Sequence, residues 1–127
     1  MAYVDGFVLV VPEKNVKAYL TMARKAGKVW REHGALEFRE CVGDDLTVQA
    51  GPDPKAKKVP LFPRLMKTKP GETVVFSFIV YKSRAHRDKV NAKVMSDPRM
   101  AKMMGPNDMP FDMKRMAYGG FKVGVDL

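Results

Sequence analysis

The segment Tyr3–Val11 constrains the fold of this chain more than any other part of the sequence. Nearly all of its residues are β-branched or aromatic, which predicts a β-strand. Phe7 and Leu9 fall on one face of that strand, and Val8 and Val10 fall on the other. A strand that is apolar on both faces is covered on both faces in a folded protein. The sequence therefore predicts a sheet with neither side left open to water.

Helical and strand-like periods alternate along the rest of the chain. Apolar residues recur at three- and four-residue steps after Asn15, which predicts a long helix that ends at His33 and Gly34. A second helix is predicted from Ser83 or Asp88, with the inward residues Ala85, Val90, Val94 and Met95. A short third helix is expected from the Asp97-Pro98 pair through Met104, followed by a loop over 105–112.

Strands are predicted at Ala35–Val42, Thr73–Tyr81 and Arg115–Val123, with a bulge or close backbone approach at Gly119-Gly120. Pro70-Gly71 has the signature of a type II turn, so Leu65–Thr68 is expected to form a hairpin with the strand that follows. The order β-α-β-(β)-β-α-β is the split βαβ plan of ferredoxin-like α+β domains, with an antiparallel sheet. Residues 1–127 are expected to form one domain.

Such a domain places both helices on one face of the sheet and leaves the other face bare. Gly6 is expected to let a helix approach closely on the covered face. The apolar residues of Tyr3–Val11 and Thr73–Tyr81 on the bare face form a patch too large for a monomer to expose. Pairing of two copies, sheet against sheet, removes that patch. The competing explanation is a lid formed by the aperiodic segment Gly43–Pro60.

Bulk composition limits the class of protein and its partners. The 23 basic and 14 acidic residues give a net charge of +9, which attracts anions, including nucleic acid. Lys55, Lys57 and Lys58 form the densest basic cluster, but no nucleic-acid-binding motif accompanies it. The single cysteine, Cys41, permits no disulfide and is expected to be a buried structural thiol. The N-terminus does not have the pattern of a signal peptide, and no run is apolar enough to cross a membrane. A soluble, cytoplasmic protein is therefore expected.

Three residues are candidates for acid–base chemistry. Asp5 lies mid-strand among aromatic residues, where an apolar setting raises the pKa of a carboxyl group and favours a role as a base. The alternative is a structural ion pair of Asp5 with Arg39 or Arg115. His33 is a candidate general base. The alternative is that it has no chemical role and occurs in the last turn of its helix because the helix dipole favours a cationic side chain there. Tyr118 completes the candidate catalytic set.

Candidate ligand-binding residues are Trp30, Arg99, Asp112 and Arg115. Arg115, beside Asp112, can clamp a carboxylate or phosphate, or can form a salt bridge that fixes the last strand. Methionines from Met95 to Met116 are suited to the wall of an apolar pocket, or to ordinary core and dimer packing. No spacing of metal ligands and no cofactor-binding motif occurs, so neither a metal nor a cofactor is predicted.

With these residues placed, the chain resembles the YbaA-like family of conserved hypothetical proteins, in the dimeric α+β barrel superfamily. The resemblance covers nearly the whole chain, although Phe78 stands where the family typically has tryptophan. It is carried by Tyr3-Val4-Asp5-Gly6-Phe7-Val8, His33-Gly34-Ala35, Glu40-Cys41, the segments 70–77, 93–100 and 109–116, and Tyr118-Gly119-Gly120-Phe121. It implies a ferredoxin-like fold whose sheets pair across a homodimer, and it implies no function.

The functional hypothesis is a homodimer that binds a small organic molecule between the sheet and its helices. By fold-level analogy with the superfamily, cofactor-free oxygenase or isomerase chemistry is one interpretation, and whether the protein is an enzyme stays open. The alternative is an RNA- or anion-binding protein that acts through its basic surface.

Overall fold

The computed structural model describes residues 1–49, 51–103 and 109–127. In chain order its elements are β1 (Tyr3–Pro12), α1 (Val16–Glu32), β2 (Glu37–Val42), β3 (Val48–Gln49), β4 (Lys58–Val59), α2 (Leu61–Met66), β5 (Glu72–Tyr81), α3 (Arg84–Met95), α4 (Pro98–Met103) and β6 (Ala117–Lys122). The main sheet has the order β2-β5-β1-β6, and every neighbouring pair is antiparallel. The α+β fold and the split βαβ order predicted from the sequence are confirmed.

The long helix α1 has the predicted bounds and ends as the sequence indicates. Gly34 follows the last turn with φ +117°, a backbone region that favours glycine. Asn15 precedes the helix, but its side chain makes no capping hydrogen bond. Its amide instead donates to the carbonyl of Pro110, at 3.0 Å. Asn15 therefore ties the start of α1 to the segment that leads into β6.

The helix predicted to begin at Ser83 or Asp88 is α3. It begins at the first of these two positions, because Ser83 caps it. The Ser83 hydroxyl accepts a hydrogen bond from the backbone N–H of His86 at 3.1 Å. Val90 and Val94 are fully buried, as predicted. Ala85 and Met95 are exposed, so their predicted inward positions are wrong. The inward stripe of this short helix is narrower than the sequence suggests.

The predicted hairpin strand at Leu65–Thr68 is wrong, because this part of the chain is mostly the helix α2. Pro63 is tolerated there because it occupies the first turn, where its missing N–H has no partner to lose. The helix stops at Lys67, which has φ 52°. The Pro-Gly turn itself is confirmed, since Gly71 has φ 82° and the N–H of Glu72 donates to the Lys69 carbonyl.

The segment before α2 has more structure than the aperiodic sequence indicates. The short strands β3 and β4 pair with each other, and α2 then packs on β5. Val10 and Val74 are buried on the sheet face opposite α1, at the end that this segment covers. The inserted segment thus shields one end of that face.

The helices α1 and α3 cover the other face of the sheet. The alternation of β1 directs Tyr3, Phe7 and Leu9 towards them, where these residues pack with the buried side of α1. Gly6 points away from the helices and faces the ring of Phe121, so its predicted role beneath a helix is wrong.

The last strand, β6, is shorter than predicted, and a 3-10 turn over Met113–Arg115 precedes it. Its two glycines pair with β1 in regular register, so no bulge forms. A side chain at Gly120 would collide with the ring of Tyr3, which confirms the predicted close approach. Half of the predicted loop over 105–112, together with Met104 in the predicted third helix, lies outside the described residues. Within the described chain, no helix is long and apolar enough to cross a membrane.

Candidate functional site

A cavity of about 150 Å³ lies between α1 and the sheet. It is closed on one side by the segments that carry Met103 and Met109. Its wall is almost entirely apolar and includes six methionines. The lining residues are Phe7, Leu9, Tyr19, Met22, Ala23, Ala26, Trp30, Phe38, Arg39, Glu40, Ser77, Ile79, Met100, Met103, Met109, Phe111, Met113 and Met116. We call this space the sheet cavity.

The polar residues of the wall are Tyr19, Arg39, Glu40 and Ser77. Glu40 and Ser77 lie opposite each other on β2 and β5. Both side chains point towards α1, because residues that face each other across a ladder share one side of the sheet. The Tyr19 hydroxyl donates to Glu40 Oε2 at 2.7 Å. In the described part of the chain, this carboxyl group forms no salt bridge.

Burial raises the pKa of Glu40, because the charged form loses its water. Hydrogen bonds from Tyr19 and Ser77 oppose that rise without cancelling it. Burial also raises the pKa of Tyr19, and the nearby charge of Glu40 raises it further. Tyr19 therefore stays a neutral donor, whereas the Glu40 carboxyl group can exchange a proton closer to neutral pH than an ordinary glutamate.

Trp30 lines the sheet cavity, and a hydrogen bond on the side away from the cavity holds its indole ring in place. Its indole Nε1–H donates to the side-chain oxygen of Asn91 on α3, at 3.1 Å. The same oxygen accepts the hydroxyl of Tyr81, also at 3.1 Å. Tyr81 is fully buried, so this shared acceptor connects the cavity wall to the core under α3.

Asp5 is buried on the helix-facing side of β1, and its partner is Arg87 of α3. The Arg87 Nη1 to Asp5 Oδ1 distance is 2.8 Å, and the guanidinium carbon lies 4.9 Å from the centre of the Tyr3 ring. The predicted alternative partners, Arg39 and Arg115, are therefore wrong, although the ion pair itself is present. Burial raises the pKa of Tyr81, and the charge of Asp5 adds to that rise.

His33 lies at the end of α1, away from the sheet cavity, and binds the carboxylate that begins α4. Its Nε2 is 2.9 Å from Asp97 Oδ2. Arg99 also contacts Asp97 and reaches Glu32 at 2.7 Å. Hydrogen bonds from Arg99 first, and then from His33, lower the pKa of Asp97. The four side chains fasten α4 to α1.

Arg115 pairs with Glu72 and not with Asp112. Its Nη1 is 2.7 Å from Glu72 Oε2, and its Nη2 also donates to the Lys67 carbonyl. The Asp112 side chain instead accepts from the backbone N–H of Lys114. The predicted salt bridge between Asp112 and Arg115 is therefore wrong, and Arg115 ties the approach to β6 to Glu72 instead.

Tyr118 is 72% exposed and stacks on Phe7 at a ring distance of 5.9 Å. Cys41 is exposed on the edge strand β2, so its predicted burial is wrong. Of the seven candidate site residues, the described wall of the sheet cavity includes Trp30. The functional roles assigned to all seven stay predictions. Among the other six, His33 and Arg99 meet at Asp97, but the six do not lie together at one site.

Sequence analysis missed Glu40 and Tyr19 as a pair. The available signal was that Glu40 shares the inward face of β2 with Leu36 and Phe38, where an acid is out of place. Tyr19 belongs to the apolar stripe of α1, and only the folded chain brings its hydroxyl to the carboxylate. Within the described ranges, no group of three or more His, Cys, Asp or Glu side chains is placed to hold a metal ion.

Comparison with known proteins places the chain among proteins whose function is not established. Residues 2–113 match the family described as a protein of unknown function, DUF1428. The uncharacterized protein YbaA of Escherichia coli strain K12 is 48% identical over 126 residues, covering 99% of both chains. The uncharacterized protein YbaA of Shigella flexneri has the same identity and coverage. The chain therefore belongs to the DUF1428 family of proteins of unknown function.

Proposed function

We propose that this protein binds a small, mainly apolar organic molecule in the sheet cavity and exchanges a proton with it through Glu40. The observation that carries the proposal is a carboxyl group, held by Tyr19, in an otherwise apolar wall. A convergent polar group in an apolar pocket is typical of ligand sites. A core built for stability alone would not contain it, because a buried carboxyl group without a cation costs free energy.

The size and composition of the cavity indicate the kind of ligand. An apolar cavity of about 150 Å³ holds a molecule of roughly benzene size. Methionine side chains adapt to ligands of irregular shape, and here they form much of the wall. A compact ring with one polar substituent fits both the apolar wall and the Glu40 carboxyl group.

The chemistry available to such a complex is proton transfer. A carboxyl group with a raised pKa can take a proton from a bound carbon or oxygen acid and return it elsewhere. Isomerases and cofactor-free oxygenases both begin with such a step. Enzymatic turnover of either kind is therefore the narrower form of the proposal.

Binding is tested with phenol as the probe. The chain has one tryptophan, so the indole N–H signal of Trp30 in an NMR spectrum reports directly on the cavity wall. Ala26→Leu fills the cavity, and Ala18→Leu makes the same change at an exposed position of α1. We expect phenol to shift the indole signal saturably in the wild type and in Ala18→Leu, and to bind Ala26→Leu at least about tenfold more weakly. Equal affinity in all three proteins, or no binding to the wild type, would contradict the proposal.

We also propose that residues 1–127 form one domain that pairs with a second copy through the open sheet face. This face is defined by Val4, Val8, Phe76, Phe78, Val80 and Phe121, which lie opposite the helices by register. Phe76 is 44% exposed and Phe121 is 62% exposed in the single chain. Glu37 and Arg39 lie on the same face at the β2 edge. These two side chains already pair with each other within one chain, at 3.5 Å. A two-fold axis through the face would bury the apolar patch.

The dimer proposal is tested by the mass in solution, measured by light scattering. We expect the wild type to have twice the mass of one chain. Phe76→Lys with Phe121→Lys is expected to give monomers, because two cations would be buried at the interface. Tyr118→Lys, at a more exposed aromatic residue on the other face, is the control and should remain dimeric. A monomeric wild type, or a dimeric double variant, would overturn the proposal that two copies pair through the open sheet face.

The RNA- or anion-binding alternative is supported by the net charge of +9. Binding of this kind is expected to weaken steeply as salt rises, because cations on the protein displace counterions from the polymer. Titration of a fluorescent RNA oligonucleotide at 50 and 200 mM salt tests it. Affinity without that salt dependence would count against it.

A cytoplasmic location is proposed with the function. The single thiol of Cys41 is free and exposed, which suits a reducing compartment. Fractionation of cells that contain the protein at its natural level tests this location.

A further inference from the structure

An open groove runs along the outside of the sheet cavity, between α1 and the edge strand β2. Its lining is Leu20, Ala23, Arg24, Gly27, Lys28, Arg31, Glu32, Phe38 and Glu40. Ala23, Phe38 and Glu40 also line the sheet cavity, so a single layer of side chains separates the two spaces. We call this space the α1–β2 groove.

The groove is positively charged along its α1 side. Arg24, Lys28 and Arg31 project from successive turns of the helix. Arg31 donates to the Ala35 carbonyl, and the acid Glu32 is engaged by Arg99 at 2.7 Å. In the described part of the chain, no salt bridge involves Arg24 or Lys28. Both cations are therefore available to a negatively charged partner.

The barrier between groove and cavity is the ring of Phe38. Gly27 lets this ring lie directly against the helix backbone, since a Cβ at that position would be 2.6 Å from the ring. On its other side the ring is 6.0 Å from Trp30, in the cavity wall. Phe38 therefore lies in the layer that the cavity and the groove share.

We infer that the ligand of the sheet cavity is an organic anion, with its apolar body in the cavity and its acidic group in the α1–β2 groove. The inference rests on the proposed function, and it narrows the ligand to aromatic or aliphatic acids. Arg24 and Lys28 bind the acidic group, Phe38 turns aside to admit the body, and Glu40 lies between the two parts of the ligand.

The test compares phenylacetate with phenylacetamide, which has nearly the same shape and no charge. Binding is followed by the Trp30 indole signal in the wild type and in the double variant Arg24→Gln with Lys28→Gln. The control is Lys89→Gln with Lys93→Gln, which removes two exposed cations four residues apart on α3. We expect the wild type and the control to prefer phenylacetate by about tenfold, as two partly exposed ion pairs allow, and the groove variant to lose that preference.

The possible outcomes separate the inference from the proposed function. Equal affinity of the wild type for both probes, or a preference that persists in the groove variant, overturns the inference and leaves the cavity as a site for neutral molecules. A preference lost equally in the control would mean that net charge alone attracts the anion, and would also overturn it. Failure of both probes to bind a wild type that binds phenol overturns the inference alone, whereas failure of phenol to bind as well overturns the proposed function.

Discussion

Two carboxyl groups lie on the helix-facing side of one sheet, Asp5 buried and Glu40 partly buried, and their partners are of opposite kinds. Asp5 on β1 is neutralised by Arg87 at 2.8 Å. Glu40 on β2 accepts a hydrogen bond from the Tyr19 hydroxyl and lies opposite Ser77, and no salt bridge to it is present within the described residues. Asp5 lies in a filled core under α3, whereas Glu40 borders the sheet cavity.

This difference in partners makes Asp5 a structural residue and Glu40 a candidate for proton transfer. A carboxylate with a bound guanidinium stays charged and holds two elements together. A carboxyl group with only hydroxyl partners has a raised pKa and can exchange its proton with a molecule beside it. The four predictions that follow test this contrast, from the largest expected effect to the smallest.

Removing the cation from the Asp5 pair should have the largest effect on stability. Arg87→Met leaves Asp5 charged and buried without its cation, and we expect a loss of about 3 kcal/mol in the free energy of unfolding. Urea denaturation at a fixed protein concentration measures it. Asp88→Asn is the control, because this exposed acid also contacts Arg87 but should contribute less than about 0.5 kcal/mol. A loss below about 1 kcal/mol in Arg87→Met would show that Asp5 does not depend on its cation.

Asn91→Leu tests the neutral hydrogen bonds on the same side of the sheet. The substitution removes the acceptor of Trp30 and Tyr81 while the ion pair of Asp5 and Arg87 remains. We expect a loss of about 2 kcal/mol, since two buried donors lose their partner. The exposed neighbour Ala92→Leu should change stability by less than about 0.5 kcal/mol. Similar losses in the two variants would mean that the shared acceptor contributes little.

How far the sequence predicts this molecule differs between its fold and its site. The doubly apolar β1 and the stripe of α1 are strong local patterns, and they fix the sheet and its main helix. The helix α2 was missed because its six residues contain Pro63, which breaks a helical pattern everywhere except in the first turn. Asp5 was correctly predicted to be buried, but its partner Arg87 is 82 residues away in sequence and no local signal identifies it. The pairing of Glu40 with Tyr19 likewise depends on how the helix lies on the sheet.

Tyr19→Phe tests the hydroxyl that holds Glu40. The ring keeps its contact with Phe111, so the change is confined to the lost hydrogen bond. We expect a loss of about 1 kcal/mol in the free energy of unfolding and a further rise in the pKa of Glu40, because the carboxyl group loses its hydrogen-bond donor. Thermal or urea unfolding at pH 8 measures the first effect. An unchanged stability would mean that water replaces the hydroxyl without cost.

Glu40→Gln is expected to have an effect that depends on pH and has the opposite sign. The folded-state pKa of Glu40 lies above its unfolded value of 4.5, so folding favours the neutral form. The favourable contribution of Glu40 is complete below pH 4.5 and is lost as the pH rises through the folded-state pKa. Since glutamine does not ionise, Glu40→Gln should be more stable than the wild type at pH 8 and should match it at pH 4. Urea unfolding at the two pH values decides this, and a variant that is less stable at pH 8 would contradict it.

The most direct test of the contrast is the pKa of the Glu40 carboxyl group itself. It is measured by following the side-chain carboxyl carbon of Glu40 in NMR spectra of labelled protein between pH 3 and pH 9, with Glu40→Gln used to assign the signal. The structure predicts a pKa above 4.5, because burial without a cation disfavours the charged form. A pKa at or below 4.5 would mean that hydrogen bonds fully compensate the burial of Glu40, and it would remove the basis for proton exchange in the sheet cavity.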